Sequence, residues 1–257
     1  IAPLTSMFLF GENDRGEIDD FRPQVHDSEG LSMWTGAGEW IWRPLVNPTR
    51  LRVSSFSDEN PRGFGLLQRD RNFENYQDLE ARYDRRPSLW VEPQEQWGRG
   101  VIQLIEIPTQ SEINDNIVAF WVPEQPVEAG SEWRLTYRLH WCIDAPQRSP
   151  NGEAVSTRTG AGGLPGQNAG DESLRKFVID FKGGRLGELS ADAGVVPEIT
   201  IVNGEVINPV AQPNPVIKGW RVFFDARPAG GQPVEMRCFL KLNSDALTET
   251  WSYQWTP

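Results

Sequence analysis

Apolar and polar residues alternate with a period of two along most of this chain. In EWRLTYRLHWC one face carries Trp133, Leu135, Tyr137, Leu139 and Trp141, and the other carries Arg134, Thr136, Arg138 and His140. Successive strand side chains point to opposite faces, so this run predicts a strand with one wet face. VEMRCFLKL sets Val234, Met236, Cys238 and Leu240 on one side, and TWSYQW alternates Trp251, Tyr253 and Trp255 with Ser252 and Gln254. RKFVIDFKGG carries Phe177, Ile179 and Phe181, then stops at two glycines. Asn203-Gly204 between two β-rich runs predicts a type I′ hairpin. Helical spacing occurs only in NFENYQDLEARY, for two or three turns at most. The prediction is an all-β fold.

IDAPQRSPNGEA follows that first strand with two prolines, a glycine and no apolar periodicity, so residues 144–154 read as a linker between 1–143 and 155–257. The last segment has the length and rhythm of an immunoglobulin-like sandwich of five to seven short strands, about 100 residues, without the Cys…Trp…Cys pattern of antibody domains. The first segment has long polar loops, GENDRGEIDDFRPQVHDSEG and QRDRNFENYQDLEARYDRRP. Long loops on a β scaffold are where function concentrates.

A formal charge of −11 would repel nucleic acid and anionic lipid. No apolar run approaches the roughly 18 residues of a membrane-spanning helix. Eleven tryptophans and twelve phenylalanines suit either large sandwich cores or a site that stacks flat rings on sugar faces. Cys142 and Cys238 are free to pair or to lie buried as small hydrophobes. With His26 and His140 as the sole histidines and no Cys/His cluster, the composition argues against a structural zinc site, and no cofactor is expected. IAPLTSMFLF opens without an initiator Met or a basic leader, so the chain is expected to be a mature product or a fragment.

TGAGGLPG has no apolar strand feeding it and no helix after it, which argues against phosphate binding and for a mobile Gly-rich loop. His140 lies within a strand's alternation and reads as a surface or satisfied residue. Carboxylates remain. FRPQVHDSEGLSMW presents Asp27 near Arg22, ahead of Trp34, Trp40 and Trp42, and INDNIVAFW presents Asp115 ahead of Trp121. Glycoside hydrolysis needs one neutral carboxylic acid and one ionised carboxylate. Entry into an apolar strand would desolvate Asp115 and raise its pKa, with Asn114 and Asn116 orienting it, whereas Asp27 beside Arg22 would stay ionised. The alternative for both is turn capping.

The stretches MFLFGENDR, DDFRPQVHDSEGL, GEWIWRPLVNP, SSFSDENPRGFGLLQRDRNFENYQDLEARYDRRPSLWVEP, WGRGVIQLIEIPTQSEINDNIVAFWVP and TRTGAGG together resemble the periplasmic glucan biosynthesis proteins, the OpgG/OpgD (MdoG/MdoD) family. The resemblance runs nearly end to end. It implies the C-terminal part of a large galactose-mutarotase-like β-sandwich followed by an immunoglobulin-like β-sandwich, with an upstream portion and secretion signal outside this chain. It implies a periplasmic protein acting on β-1,2-glucan as an inverting glucanase or a transglycosylase. Asp115 takes the general acid's place in NDN, Asp27 the general base's place in VHDS, and Tyr83 lies over the site. Arg22, Trp34, Trp40 and Trp42 are expected to bind substrate. Gln24 and Glu29 depart mildly from the family pattern. The implied partners are β-1,2-glucan and the membrane glucan glucosyltransferase of the same pathway, with no nucleic acid; a homodimer stays open. The alternative is a non-catalytic module that grips glucan for the synthase.

Overall fold

The period-two pattern becomes antiparallel strands in nearly every place it occurs. The computed structural model describes residues 2–14, 16, 18–163 and 173–257, which divide into two compact units meeting at Arg148 and Ser149. The first holds β1 (Leu4–Ser6), β2 (Phe8–Phe10), β3 (Val25–His26), β4 (Gly30–Trp34), β5 (Trp40–Pro44), β6 (Arg52–Glu59), β7 (Gly63–Leu67), β8 (Ser88–Pro93), β9 (Arg99–Glu106), β10 (Ile117–Pro123) and β11 (Tyr137–Cys142). The second holds β12 (Glu153–Ala161), β13 (Arg175–Lys182), β14 (Val195–Val202), β15 (Gly204–Asn214), β16 (Gly219–Pro228), β17 (Val234–Leu242), β18 (Asp245–Ala246) and β19 (Thr250–Trp255). The fold is all-β, and β12 starts inside the stretch read as linker.

In the first unit one sheet runs β1-β10-β9-β6 and the other β11-β8-β7-β4-β5, with β2 and β3 paired alongside. Their facing sides share one core, Leu4, Ile102, Leu104, Ile117, Ala119 and Trp121 against Leu31, Met33, Ile41, Phe64, Leu66 and Val91. A repeated device spaces the tryptophans. Trp42 pairs with Ser32, Trp90 with Gly65 and Trp121 with Ile102, and each indole leans over a glycine two residues further along the neighbouring strand. A Cβ at Gly30, Gly63 or Gly100 would meet those rings at 2.1, 2.2 and 2.5 Å respectively.

In the second unit β12-β13-β16-β15 forms one sheet and β14-β17-β19 another, with β18 on β17. Phe177 and Phe224 on the first sheet meet Trp251 on the second edge-on, at 6.1 and 6.5 Å. The Trp251 indole N–H donates to Thr157 Oγ1 at 3.0 Å. Val234, Met236, Cys238 and Leu240 are all buried, as their alternation predicts. Gly183 and Gly184, with φ of 96° and 52°, end β13.

The structure departs from expectation at Asn203-Gly204, over residues 72–83 and over residues 132–142. Asn203-Gly204 is not a hairpin: β14 pairs with β17 and β15 with β16, so the chain changes sheet at that point. Asn203 alone takes a positive φ, 61°, whereas a type I′ turn needs two. The helix expected over residues 72–83 is two 3₁₀ turns, Phe73–Asn75 and Tyr83–Arg85, because Asn and Asp side chains there bond to nearby backbone instead. The run 132–142 becomes a strand only from Tyr137, and as an edge it leaves Leu139 (45%) and Trp141 (67%) exposed. Both cysteines are free thiols, Cys238 buried and Cys142 half-buried. Of TGAGGLPG, Thr159–Ala161 continue β12, and the loop expected from Leu164 onward lies outside the described residues.

Candidate functional site

A single residue, Met7, separates β1 from β2, and the short segment they form holds both carboxylates. The Asp27 N–H, just after β3, donates to the Met7 carbonyl at 2.9 Å. Thr5 Oγ1 donates to Asp115 Oδ2 at 2.5 Å, just before β10. Asn116 clamps the same segment, accepting from the Phe8 N–H at 2.8 Å and donating to the Phe8 and Ile107 carbonyls. Asn116 therefore orients the backbone beneath Asp115, while the aspartate itself is held by Thr5. The charge of Asp115 is among the causes that raise the Asp27 pKa.

Their environments are the reverse of the expectation. Asp115 is exposed, so the apolar strand does not desolvate it: β10 begins two residues later, and the side chain stands outside the core. Asp27 is the half-buried one. Loss of water raises its pKa, Arg86 opposes the rise, and Asp115 and Glu112 add to it. The cation beside Asp27 is Arg86, with Nε 3.3 Å from Oδ1, and not Arg22. That Oδ1 is buried and accepts no hydrogen bond.

Tyr83 is buried, its hydroxyl donating to Glu112 Oε2 at 2.8 Å, with the Arg86 guanidinium 5.5 Å from its ring centroid. Burial first, and then the bond to Glu112, push the phenol pKa up. Arg22 ties three loops together: it donates to Asp20 at 2.8 and 3.0 Å, to Asp78 at 3.0 Å and to Glu112 at 2.8 Å. Asp20 is the first cause of its raised pKa. A guanidinium shared by three carboxylates acts as a clamp between loops.

The tryptophans do not join the cluster. Trp40 and Trp42 are buried. Trp34, Trp40 and Trp90 stack in a row at 5.1 and 5.8 Å, and Arg69 covers Trp42 at 3.7 Å. Trp34 ends β4 at the opposite tip from Asp27, roughly 13 Å along the strand from Gly30 by the usual rise of about 3.3 Å per residue. Trp40, Trp42 and Trp90 fill the interior, while Trp34 is half-buried at the end of the row beneath Arg62. Sequence reasoning missed Glu112, Thr5 and the role of Arg86. Glu112 was legible in part, three residues before Asp115 in the same polar turn, whereas nothing in the sequence pointed to Thr5.

The family model described as "Periplasmic glucan biosynthesis protein, MdoG" matches residues 1–255. The chain belongs to the MdoG family. Relatives include glucans biosynthesis protein D 2 of Ralstonia nicotianae, 53% identical over 261 residues that cover all of this chain and 48% of that protein. The probable glucans biosynthesis protein D of Shewanella oneidensis is 51% identical over 259 residues, all of this chain and 48% of that protein. The glucans biosynthesis protein D of Xanthomonas campestris pv. campestris is 51% identical over 261 residues, all of this chain and 49% of that protein. The chain thus spans about half the length of the curated relatives it matches.

Proposed function

We propose that this chain serves periplasmic glucan biosynthesis by acting on β-1,2-glucan, with Asp27 and Asp115 as a base and acid pair. The observation that carries the reading is their juxtaposition across the β1–β2 segment, where Asp27 keeps a buried oxygen with no hydrogen-bond donor. Asp115 protonates the glycosidic oxygen as the C1–O bond breaks. Asp27 takes a proton from the water whose oxygen bonds to C1 on the opposite face, which inverts that carbon. Inverting pairs stand about 6.5–9.5 Å apart to admit this water. A sugar hydroxyl in place of water gives transglycosylation with the same acid.

The raised pKa of Asp27 makes it a stronger base than an ordinary carboxylate, and Arg86 opposes the rise. The exposure of Asp115 leaves it open to the solvent that a bound glucan chain would displace. Tyr83 and Glu112 close one side. In this reading the first unit is the C-terminal part of a galactose-mutarotase-like sandwich and the second an immunoglobulin-like sandwich. The protein works in the periplasm beside the membrane glucosyltransferase that polymerises the glucan. No helix among the described residues is long and apolar enough to cross a membrane.

One observation favours a binding module instead: an exposed Asp115 already bonded to Thr5 can grip a sugar hydroxyl without cutting. New reducing ends from linear β-1,2-glucan decide between the two. The full-length protein is expected to produce them, with the α-anomer formed first from β-linkages. D27N and D115N are each expected to lower the rate at least about 100-fold, the scale of an acid or base contribution. Retained cleavage in D115N, or glucan binding without cleavage in the parent, overturns the enzyme reading.

A further inference from the structure

His26 precedes Asp27 and is fully buried, stacked on Phe8 at 5.2 Å and met edge-on by Tyr76 at 5.4 Å. Its Nδ1 lies 2.9 Å from Gln68 Oε1 and its Nε2 2.9 Å from Gln24 Oε1. What else the two amides touch fixes which end of each faces the ring. Gln68 Nε2 faces the His26 carbonyl at 3.1 Å, Tyr76 Oη at 2.8 Å and the Tyr83 carbonyl at 3.2 Å. Carbonyls only accept, so this amide cannot be turned round. Gln24 Nε2 donates to Asp70 Oδ2 at 3.2 Å. Asp70 also accepts from the Asn72 N–H at 2.9 Å and from Asn75 Nδ2 at 2.6 Å.

Two amide oxygens facing two ring nitrogens call for two N–H groups, and a neutral imidazole has one. Turning Gln24 offers its NH₂ to the ring but sets its oxygen against the Asp70 carboxylate. The row Asp70–Gln24–His26–Gln68 is therefore complete only with one proton more than a neutral histidine and an ionised aspartate supply. We propose that His26 is an imidazolium that fixes Gln24 and Gln68, and through Gln68 positions the peptide leading into Asp27 and the backbone of Tyr83.

The inference stands apart from whether the carboxylates cut glucan. Burial works against the charge and draws the ring down towards about 4, while Gln68 opposes that fall. The ionisable groups around the row are Tyr76 on the ring edge, Asp70 beyond Gln24, Glu29 accepting from the Asp70 N–H, and Asp27 next in the chain. Gln24 Oε1 is the second acceptor, held towards the ring by the bond from its Nε2 to Asp70, and this second acceptor holds the proton at neutral pH.

The test is ¹⁵N NMR of the intact protein labelled with ¹⁵N-histidine. At pH 7 one ring is expected to show both nitrogens protonated, and in Gln24→Leu the same ring is expected to lose one of the two protons. Gln24→Met replaces that variant if it does not fold. The absence of any doubly protonated ring at pH 7 overturns the proposal from the parent spectrum alone. So does a doubly protonated ring that the Gln24 substitution leaves unchanged.

Discussion

Arg86 Nε stands 3.3 Å from Asp27 Oδ1 yet donates its hydrogen to the Ala81 carbonyl at 3.0 Å, so the two form an ion pair without a hydrogen bond. The carboxylate gains a neighbouring charge while its oxygen stays available to something else. Arg86 thus offsets part of the desolvation of Asp27 without occupying it.

Arg86→Gln removes that charge, so the already raised Asp27 pKa is expected to rise further. A carboxyl raised in the folded state contributes stability below its ordinary pKa and loses it as pH climbs through the folded value. The variant is therefore expected to lose more stability at neutral pH than in acid. Carboxyl ¹³C titration of Asp27 checks this, and an unmoved midpoint contradicts it.

Glu29 accepts from the Asp70 N–H at 3.0 Å and, largely through burial, is pushed up to about 7 from 4.5. By the same sign, stability is expected to fall as pH rises from about 4.5 to about 7 and then level off. The fall is at most about 3 kcal/mol, and smaller to the extent that Glu29 keeps some contact with solvent. Glu29→Gln, which keeps the acceptor and removes the titration, is expected to flatten this part of the denaturation profile.

Tyr83→Phe deletes the 2.8 Å bond to Glu112, while Arg22 still satisfies the same carboxylate oxygen. The expected loss on urea unfolding is about 0.5–1.5 kcal/mol. A loss of several times that would mean that the hydroxyl carries more of the fold than this one contact.

Arg22→Met frees Asp20, Asp78 and Glu112 from their shared cation, and each sits on a separate loop. A cost of about 2 kcal/mol is expected, below the 3–5 kcal/mol of a fully buried pair because the cluster is partly wet. Hydrogen exchange around Asp78 and Glu112 is expected to quicken, while β9 is expected to keep its protection.

Gly30→Ala puts a methyl group where the Trp42 ring lies, 2.1 Å from its nearest atom. Backbone φ is not the difficulty there. The indole must move, at a cost of at least about 1–3 kcal/mol. Thermal unfolding measures it, and an unchanged Tm would mean that Trp42 repacks freely.

The fold class and the faces of most strands were legible because a side chain's side of a strand depends only on its own position along the chain. The buried row Val234, Met236, Cys238 and Leu240 could be read without knowing its partners. The Asn203-Gly204 corner could not, since whether a turn closes a hairpin or changes sheet depends on distant strands, here β17 and β16. Trp42 meets a similar limit: an indole suits a sugar face and a glycine-backed core equally well, and it is Gly30 on the neighbouring strand that receives its ring.

For the site, the sequence by itself determined which residue types stand at positions 27, 83 and 115, and through its motifs the family they belong to. Tertiary structure alone decided that Thr5 and Met7 bring the two aspartates to one segment, and that Asp27 loses water while Asp115 keeps it. The physical reason is that ionisation answers to solvent and charge within a few ångströms in space. The apolar run after Asp115 says where the chain goes next, but it does not say which side of the backbone the carboxylate leaves from.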